Sequence, residues 1–308
     1  MMSKKRAKKE HVKDPKSDLF TAALLGDPKN ESLLLSYING VFLDVGKAPI
    51  VTATVLNPFN VKKYAESKSI VLDVRAKDER GRFFNLEIQN QYHDYFENRI
   101  LYSWSDQYSS QIKAGAKYPE LRPVISIVLT KFALFPQLKN LHNVFRITAH
   151  EDPDVVLTDD FEMHFLRLSD ISRDYIDKLE GICSELRRWL YFFAYGDKLS
   201  EVEMSSITDN DPAIQQAFEQ LDRFYADPEL RELDRQRRLA MFDQMVVNQE
   251  VAKGKAGTII RFLTRRFGVV SQEVESKLYA LRDVGQLDRL SDFACDSHSL
   301  EEFTSHLR

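Results

Sequence analysis

Cysteine is nearly missing from the 308 residues: only Cys183 and Cys295 occur, far apart and both in stretches of helical character. A disulfide framework is therefore not expected, and a reducing compartment, the cytoplasm, suits the chain better. Long apolar runs are missing too. None approaches the roughly 18 residues that cross a bilayer, so no membrane role is expected. The opening residues MMSKKRAKKEHVKD are basic and lack the apolar stretch of a secretory signal. Residues 1–16 read as a disordered basic tail. Positive charge is not in excess overall. The formal net charge is −4, so the surface as a whole is no nucleic-acid footprint, and any polyanion must meet a local patch.

Several devices of chemistry are absent as well. The seven histidines show no tight pairing with cysteine or with one another at metal spacing, which argues against structural zinc. The stretch KGKAG at 253–257 lacks the spacing and the Lys-Ser/Thr ending of a phosphate loop. No Gly-x-Ser-x-Gly elbow occurs, and no dinucleotide fingerprint follows a strand. Neither a helix-turn-helix nor a zinc-finger reader of DNA sequence is evident.

What the chain does contain, at 43% hydrophobic and 29% charged residues, is the material of a large globular domain and a smaller one. Asp27-Pro28 reads as a cap and first position of a helix carrying Leu34, Leu35, Ile38, Val41 and Phe42 on one stripe. Three strand-like segments follow, PIVTATVLN, SIVLDVRA and RFFNLEIQ. A long helix is predicted over DYFENRILYSWSDQYSSQIKAG, with Gly115 as its stop. PVISIVLTKF reads as a strand covered on both faces, and NVFRITA and EMHFLRLS as two more. This order predicts an α/β fold with a mixed sheet flanked by helices. After about residue 170 only helical patterns remain, giving an all-α C-terminal region. Asp211-Pro212, Asp227-Pro228 and Ser271 mark helix starts there. Gly268 marks a stop, and Ser299 with Glu302 forms a capping-box pattern.

Two acids stand where strands should be apolar. Asp73 lies in Ile70-Val71-Leu72-Asp73-Val74, and Glu87 lies between Leu86 and Ile88. A tight loop through KDERG centred near Arg80 lets the flanking strands pair so that partner positions sum to about 160. Asp73 then opposes Glu87, Gln89 shares their face, and Leu72, Val74, Leu86 and Ile88 take the core face. Two carboxylates at that spacing repel unless a cation or a proton lies between them, and a divalent metal is the economical answer. An exposed sheet face, with Asp73 paired to Arg75 or Lys68 and Glu87 to Arg82, is the competing reading.

The ordered set Asp73, a turn, then Glu-Ile-Gln at 87–89 resembles the metal-binding core of the PD-(D/E)XK nuclease superfamily, with glutamine where a lysine usually stands. More closely, residues 18 to about 130 resemble the recombination-promoting nuclease and putative transposase family. The residues that carry the likeness are DLF at 18–20, ESLLLSYING at 31–40, Lys68 before SIVLDVRAKDERG, and NLEIQ. They continue with Arg99, Tyr102, Gln111, Gly115, Tyr118 and LRPVISIVL. The C-terminal stretch, from AGTIIRFLTRRFG to LDRLSDFACDSHSLEEF, is similar to a helical domain of unknown function appended to such nucleases.

The resemblance implies a restriction-endonuclease-like fold and a metal-dependent endonuclease that cleaves DNA, tied to recombination or mobile elements in a bacterium; low sequence specificity is expected because no helix-turn-helix or zinc-finger reader is evident. It implies Asp73, Glu87 and Gln89 as catalytic residues, with Asp73, Glu87 and Glu31 as ligands of Mg²⁺ or Mn²⁺. Glu31 is otherwise a glutamate placed by the helix dipole. Gln89 would orient water without the charge that a lysine brings. Arg99, Gln111 and Lys68 are the expected substrate contacts, Arg99 alternatively pairing with an acid. Thr21 stands where relatives usually carry a lysine. The expected division is a nuclease-like domain over 17–200, a helical linker over 201–252 and a C-terminal helical domain over 253–308, the last a candidate docking surface for a protein partner. Double-strand cleavage would call for a homodimer. The rival reading is a catalytically weak or inactive descendant that binds nucleic acid or protein.

Overall fold

The computed structural model describes residues 13–59, 73–92, 95–112, 117–169, 171–172, 184–209 and 211–307. The basic tail lies almost wholly outside them. Helices α1 (Asp18–Leu25) and α2 (Glu31–Asp44) come first, then strands β1 (Ala53–Val55), β2 (Val74–Asp78) and β3 (Phe83–Gln89). Helix α3 (Phe96–Ser109) leads to β4 (Val124–Thr130), β5 (His142–Phe145) and β6 (Phe161–Arg167). The described remainder is helical: α4 (Glu185–Tyr195), α5 (Glu201–Thr208), α6 (Pro212–Ala226), α7 (Pro228–Phe267), α8 (Gln272–Ala280), α9 (Val284–Asp296) and α10 (Leu300–Ser305).

The strands form one six-stranded sheet in the order β1-β2-β3-β4-β6-β5. β3, β4 and β6 run parallel at its centre, and the flanking pairs are antiparallel. This is the expected mixed sheet with helices against it. All seven residues of β4 are buried, as befits a central parallel strand covered on both faces. On one face Val74, Ala76, Phe84, Leu86, Ile127 and Leu166 join a core built from α1, α2, α4 and α6. Trp189 is its largest fully buried side chain. It packs edge-on to Tyr37 at 5.6 Å and donates Nε1–H to Ser36 Oγ at 3.1 Å. At Gly40 the backbones of α2 and α4 come close: a Cβ there would stand 2.9 Å from the amide nitrogen of Leu186. On the other face α3 docks through Trp104, whose indole donates to Val124 O at 2.8 Å.

Local signals in the sequence account for many boundaries. Asp211 caps α6 by accepting from Ile214 N at 3.2 Å, and Pro212 opens that helix. Asp27 caps a single 3₁₀ turn, Pro28–Asn30, so α2 itself begins at Glu31. β1 is shorter than the apolar run PIVTATVLN suggests, because its approach is bound by side chains. The Asn39 amide holds Ile50 N and O, and Glu79 accepts from Val51 N and Thr52 N.

A polar chain, running from exposed Asp44 to buried Glu162, ties β5 and β6 to α2. Asp44 Oδ2 meets His142 Nδ1 at 2.8 Å, His142 Nε2 meets His164 Nδ1 at 2.8 Å, and His164 Nε2 meets Glu162 Oε1 at 2.6 Å. Lys47 and Arg146 also bind Glu162. Burial lowers the His164 pKa and so favours the neutral ring. With its one proton on Nε2 for Glu162, its Nδ1 must accept from His142.

The chain divides into two compact units between Asp234 and Arg235, with Tyr95–Glu97 counted in the second. The division expected at 252/253 falls inside the unbroken helix α7. The second unit has its own core, including Ala256, Ile259, Leu263, Leu278, Leu287 and Phe303. Gly268, at φ 91°, ends α7, and Ser271 caps α8 by accepting from Val274 N. Ser299 caps α10, but Glu302 reaches His298 N at 2.7 Å instead of closing the box on Ser299.

Candidate active site

The β2–β3 turn is built around Asp78. Its carboxylate accepts from Arg80 N and Arg82 N and pairs with Arg82 Nε at 2.7 Å. Gly81 supplies the positive φ, 83°, that the turn requires. Arg82 is thus engaged by Asp78, on its own turn, and does not partner Glu87. The ladder pairs Val74 with Leu86, Arg75 with Asn85, Ala76 with Phe84 and Lys77 with Phe83. One further step in this register sets Asp73 across from Glu87. Val74, Leu86 and Ile88 belong to the core, and Glu87 and Gln89 alternate with them toward α3.

Asp73 sits just before β2, half-buried, with its backbone carbonyl accepting from Asn57 Nδ2 at 2.7 Å. Burial raises its carboxyl pKa, opposed by the charges of Arg99 and Arg75. Glu87 is buried and its pKa is pushed up to about 7, first by burial and then by the negative charge of Asp73. The two acids therefore feel each other, and both are short of compensating positive charge. Arg99, from the first turn of α3, supplies part of it. Its Nη2 donates to Glu87 Oε1 and, at 3.0 Å, to Gln89 Oε1. Gln89 Nε2 donates to Gln91 O at 2.7 Å, so both ends of this amide are engaged.

The other expected site residues fall elsewhere. Glu31 Oε1 accepts from Val55 N at 3.1 Å, at the start of α2, and the structure does not bring it into a cluster with Asp73 and Glu87. Gln111 is clamped on the backbone of Arg122, donating to its carbonyl at 3.0 Å and accepting from its amide at 2.9 Å. Both ends of its amide are therefore held by that backbone. Lys68 lies outside the described residues, as does Gly115. Thr21 is buried in α1 and donates to Ser17 O at 3.0 Å. One residue went unremarked as a site candidate: Asp18 lines, with Thr21 and Glu87, a cavity of about 10 Å³, near the size of one water. The DLF stretch carried that signal only through family likeness.

Among the described residues no group of three or more His, Cys, Asp or Glu side chains could hold a metal ion. A hard divalent cation does not need one. Mg²⁺ takes one or two carboxylates and fills its remaining positions with water and substrate phosphate. Asp73 and Glu87 are all-oxygen donors held in mutual repulsion, and they fit such an ion.

No curated protein and no solved structure matches the chain significantly. A family model described as PD-(D/E)XK nuclease family transposase matches residues 15–250. The mixed sheet, the hairpin acids and this match over most of the chain agree, and the protein belongs to the PD-(D/E)XK nuclease family transposases.

Proposed function

We propose that the protein is a metal-dependent DNA endonuclease of low sequence specificity, with Asp73 and Glu87 as the ligands of Mg²⁺ or Mn²⁺. The observation that carries this reading is the register of one antiparallel ladder, whose next step beyond Val74–Leu86 sets half-buried Asp73 across from buried Glu87; the negative charge of Asp73 adds to the rise of the Glu87 pKa. A bound divalent ion would supply Lewis-acid polarisation of a phosphate and a water of lowered pKa. The chain's own residues do the rest. In this reading Asp73 and Glu87 hold the ion at the β2–β3 hairpin, and Gln89, one pleat beyond Glu87, orients a water once its amide oxygen is released by Arg99. Arg99 adds positive charge at the same place. Family membership supports a nuclease-like or mobile-element role and DNA as substrate. Recombination in a bacterial cytoplasm is the setting we infer, and no helix among the described residues is long and apolar enough to cross a membrane.

A second reading has its own support. Arg99 already occupies Glu87, and glutamine stands in the lysine position, which suits a weak or inactive descendant that binds nucleic acid or protein. In that case the second unit is the partner surface, where α7 exposes Leu239, Phe242 and Val246. Nicking of supercoiled plasmid with Mg²⁺ or Mn²⁺ separates the two. Activity lost in both Asp73→Ala and Glu87→Ala supports the enzyme. Equal nicking by wild type and both variants removes the site assignment, and no nicking by the wild type favours the binding protein.

A further inference from the structure

We propose that Arg99 is an exchangeable counter-ion: it neutralises Glu87 until a divalent cation arrives, then releases Glu87 and Gln89 and turns to the phosphate of the bound strand. This rests on the reading of Asp73 and Glu87 as metal ligands. A single nitrogen, Nη2, touches the two side chains of β3 that the chemistry needs, the carboxylate of Glu87 and the amide oxygen of Gln89. The guanidinium thus stands where a cation is wanted.

Position makes the exchange feasible. The Arg99 side chain is 48% exposed and the Glu87 side chain 9%, so the arginine covers the carboxylate from the solvent side. It can leave without repacking the core. Charge gives the exchange its direction. Arg99 acts on both Asp73 and Glu87, and Arg75 on Asp73; with both acids ionised, the four formal charges cancel. A dication leaves two positive charges in surplus, which repel the guanidinium from Glu87 and attract a phosphodiester strand. An arginine fork matches phosphate oxygens in a bidentate manner that lysine cannot. Once Arg99 has moved, Gln89 Oε1 regains an acceptor site for water.

The test is Mn²⁺ affinity of the full chain, measured by electron paramagnetic resonance of free Mn²⁺, alongside single-turnover plasmid cleavage at saturating Mn²⁺. Arg99→Met is expected to bind Mn²⁺ about tenfold more tightly than wild type, since the ion no longer competes with a resident charge, yet to cleave more slowly. Arg99→Gln keeps a donor for Glu87 without the charge and should shift affinity the same way, standing in if the methionine variant does not fold. Arg99→Lys should stay close to wild type in Mn²⁺ affinity. Unchanged or weaker Mn²⁺ binding in a folded neutral variant overturns the exchange and leaves Arg99 a fixed brace. No Mn²⁺ binding by wild type, or undiminished binding by Asp73→Asn, overturns the metal-ligand reading instead.

Discussion

Arg99 donates through Nη2 to Oε1 of Glu87, closing an ion pair between helix α3 and strand β3. The pair does not return Glu87 to the usual carboxylate range, because burial and Asp73 outweigh the arginine and hold its pKa up at about 7. An uncharged isostere should therefore suit the metal-free fold. Glu87→Gln is expected to keep or raise the melting temperature in metal-free buffer while reducing divalent-dependent cleavage by roughly 100-fold or more. A thermal scan and a nicking assay on one preparation check both halves. A large loss of stability would mean that the charged pair with Arg99 holds the hairpin together.

Gln111 should report on structure alone. Its amide makes two hydrogen bonds to the Arg122 backbone, so Gln111→Ala is expected to cost about 1–2 kcal/mol in urea unfolding. Cleavage per folded molecule should stay within about twofold of wild type. A selective loss of DNA affinity would return this residue to the cleft.

Acid should act through Glu162. Burial raises its pKa, but hydrogen bonds from His164 and Lys47 prevail and hold it at about 2. Its folded value lies below the unfolded one, so its contribution is complete above the ordinary glutamate range and is lost as pH falls from about 4.5 toward 2. Glu162→Gln should be less stable than wild type at pH 7, and the difference should shrink across that acid window. Parallel melting curves from pH 7 to 3 that never converge would contradict the assignment.

Gly40→Ala tests packing against propensity. Alanine favours an isolated helix by about 1 kcal/mol over glycine, yet its Cβ would press on the Leu186 backbone, 2.9 Å from the nitrogen and 3.2 Å from the Cα. Net destabilisation of about 1–3 kcal/mol is expected in chemical denaturation. A stabilised variant would show that α2 and α4 separate easily.

Signals confined to a few neighbouring residues are legible in the sequence alone. The caps at Asp211 and Ser271, the stop at Gly268 and the hairpin register each depend on spacing within a turn or on period-two alternation. The mixed sheet followed from the order of such segments. What escaped depends on distant partners. Nothing within Glu31's own helix says that its carboxylate will bind the amide of Val55, 24 positions on. Equally, Arg99 could be read as meeting a phosphate or an acid, and only the docking of α3 places it on Glu87. The sequence suggests a helical linker ending at 252, whereas α7 continues without a break to Phe267. Polar helix faces look alike whether they end a domain or cross into the next.

The side chains around β1 have a consequence for assembly. Among the described residues β1 pairs only with β2 within the sheet, so its outer rim would ordinarily present a template for another strand. Along 50–55 the amides of Ile50, Val51, Thr52 and Val55 are already taken by Asn39, Glu79 and Glu31. An incoming chain finds no row of donors there to zip onto, which guards the molecule against edge-to-edge aggregation. Any two-copy arrangement for cutting both strands of a duplex would then use other surfaces, the β5 edge, helices or loops, instead of extending this side of the sheet.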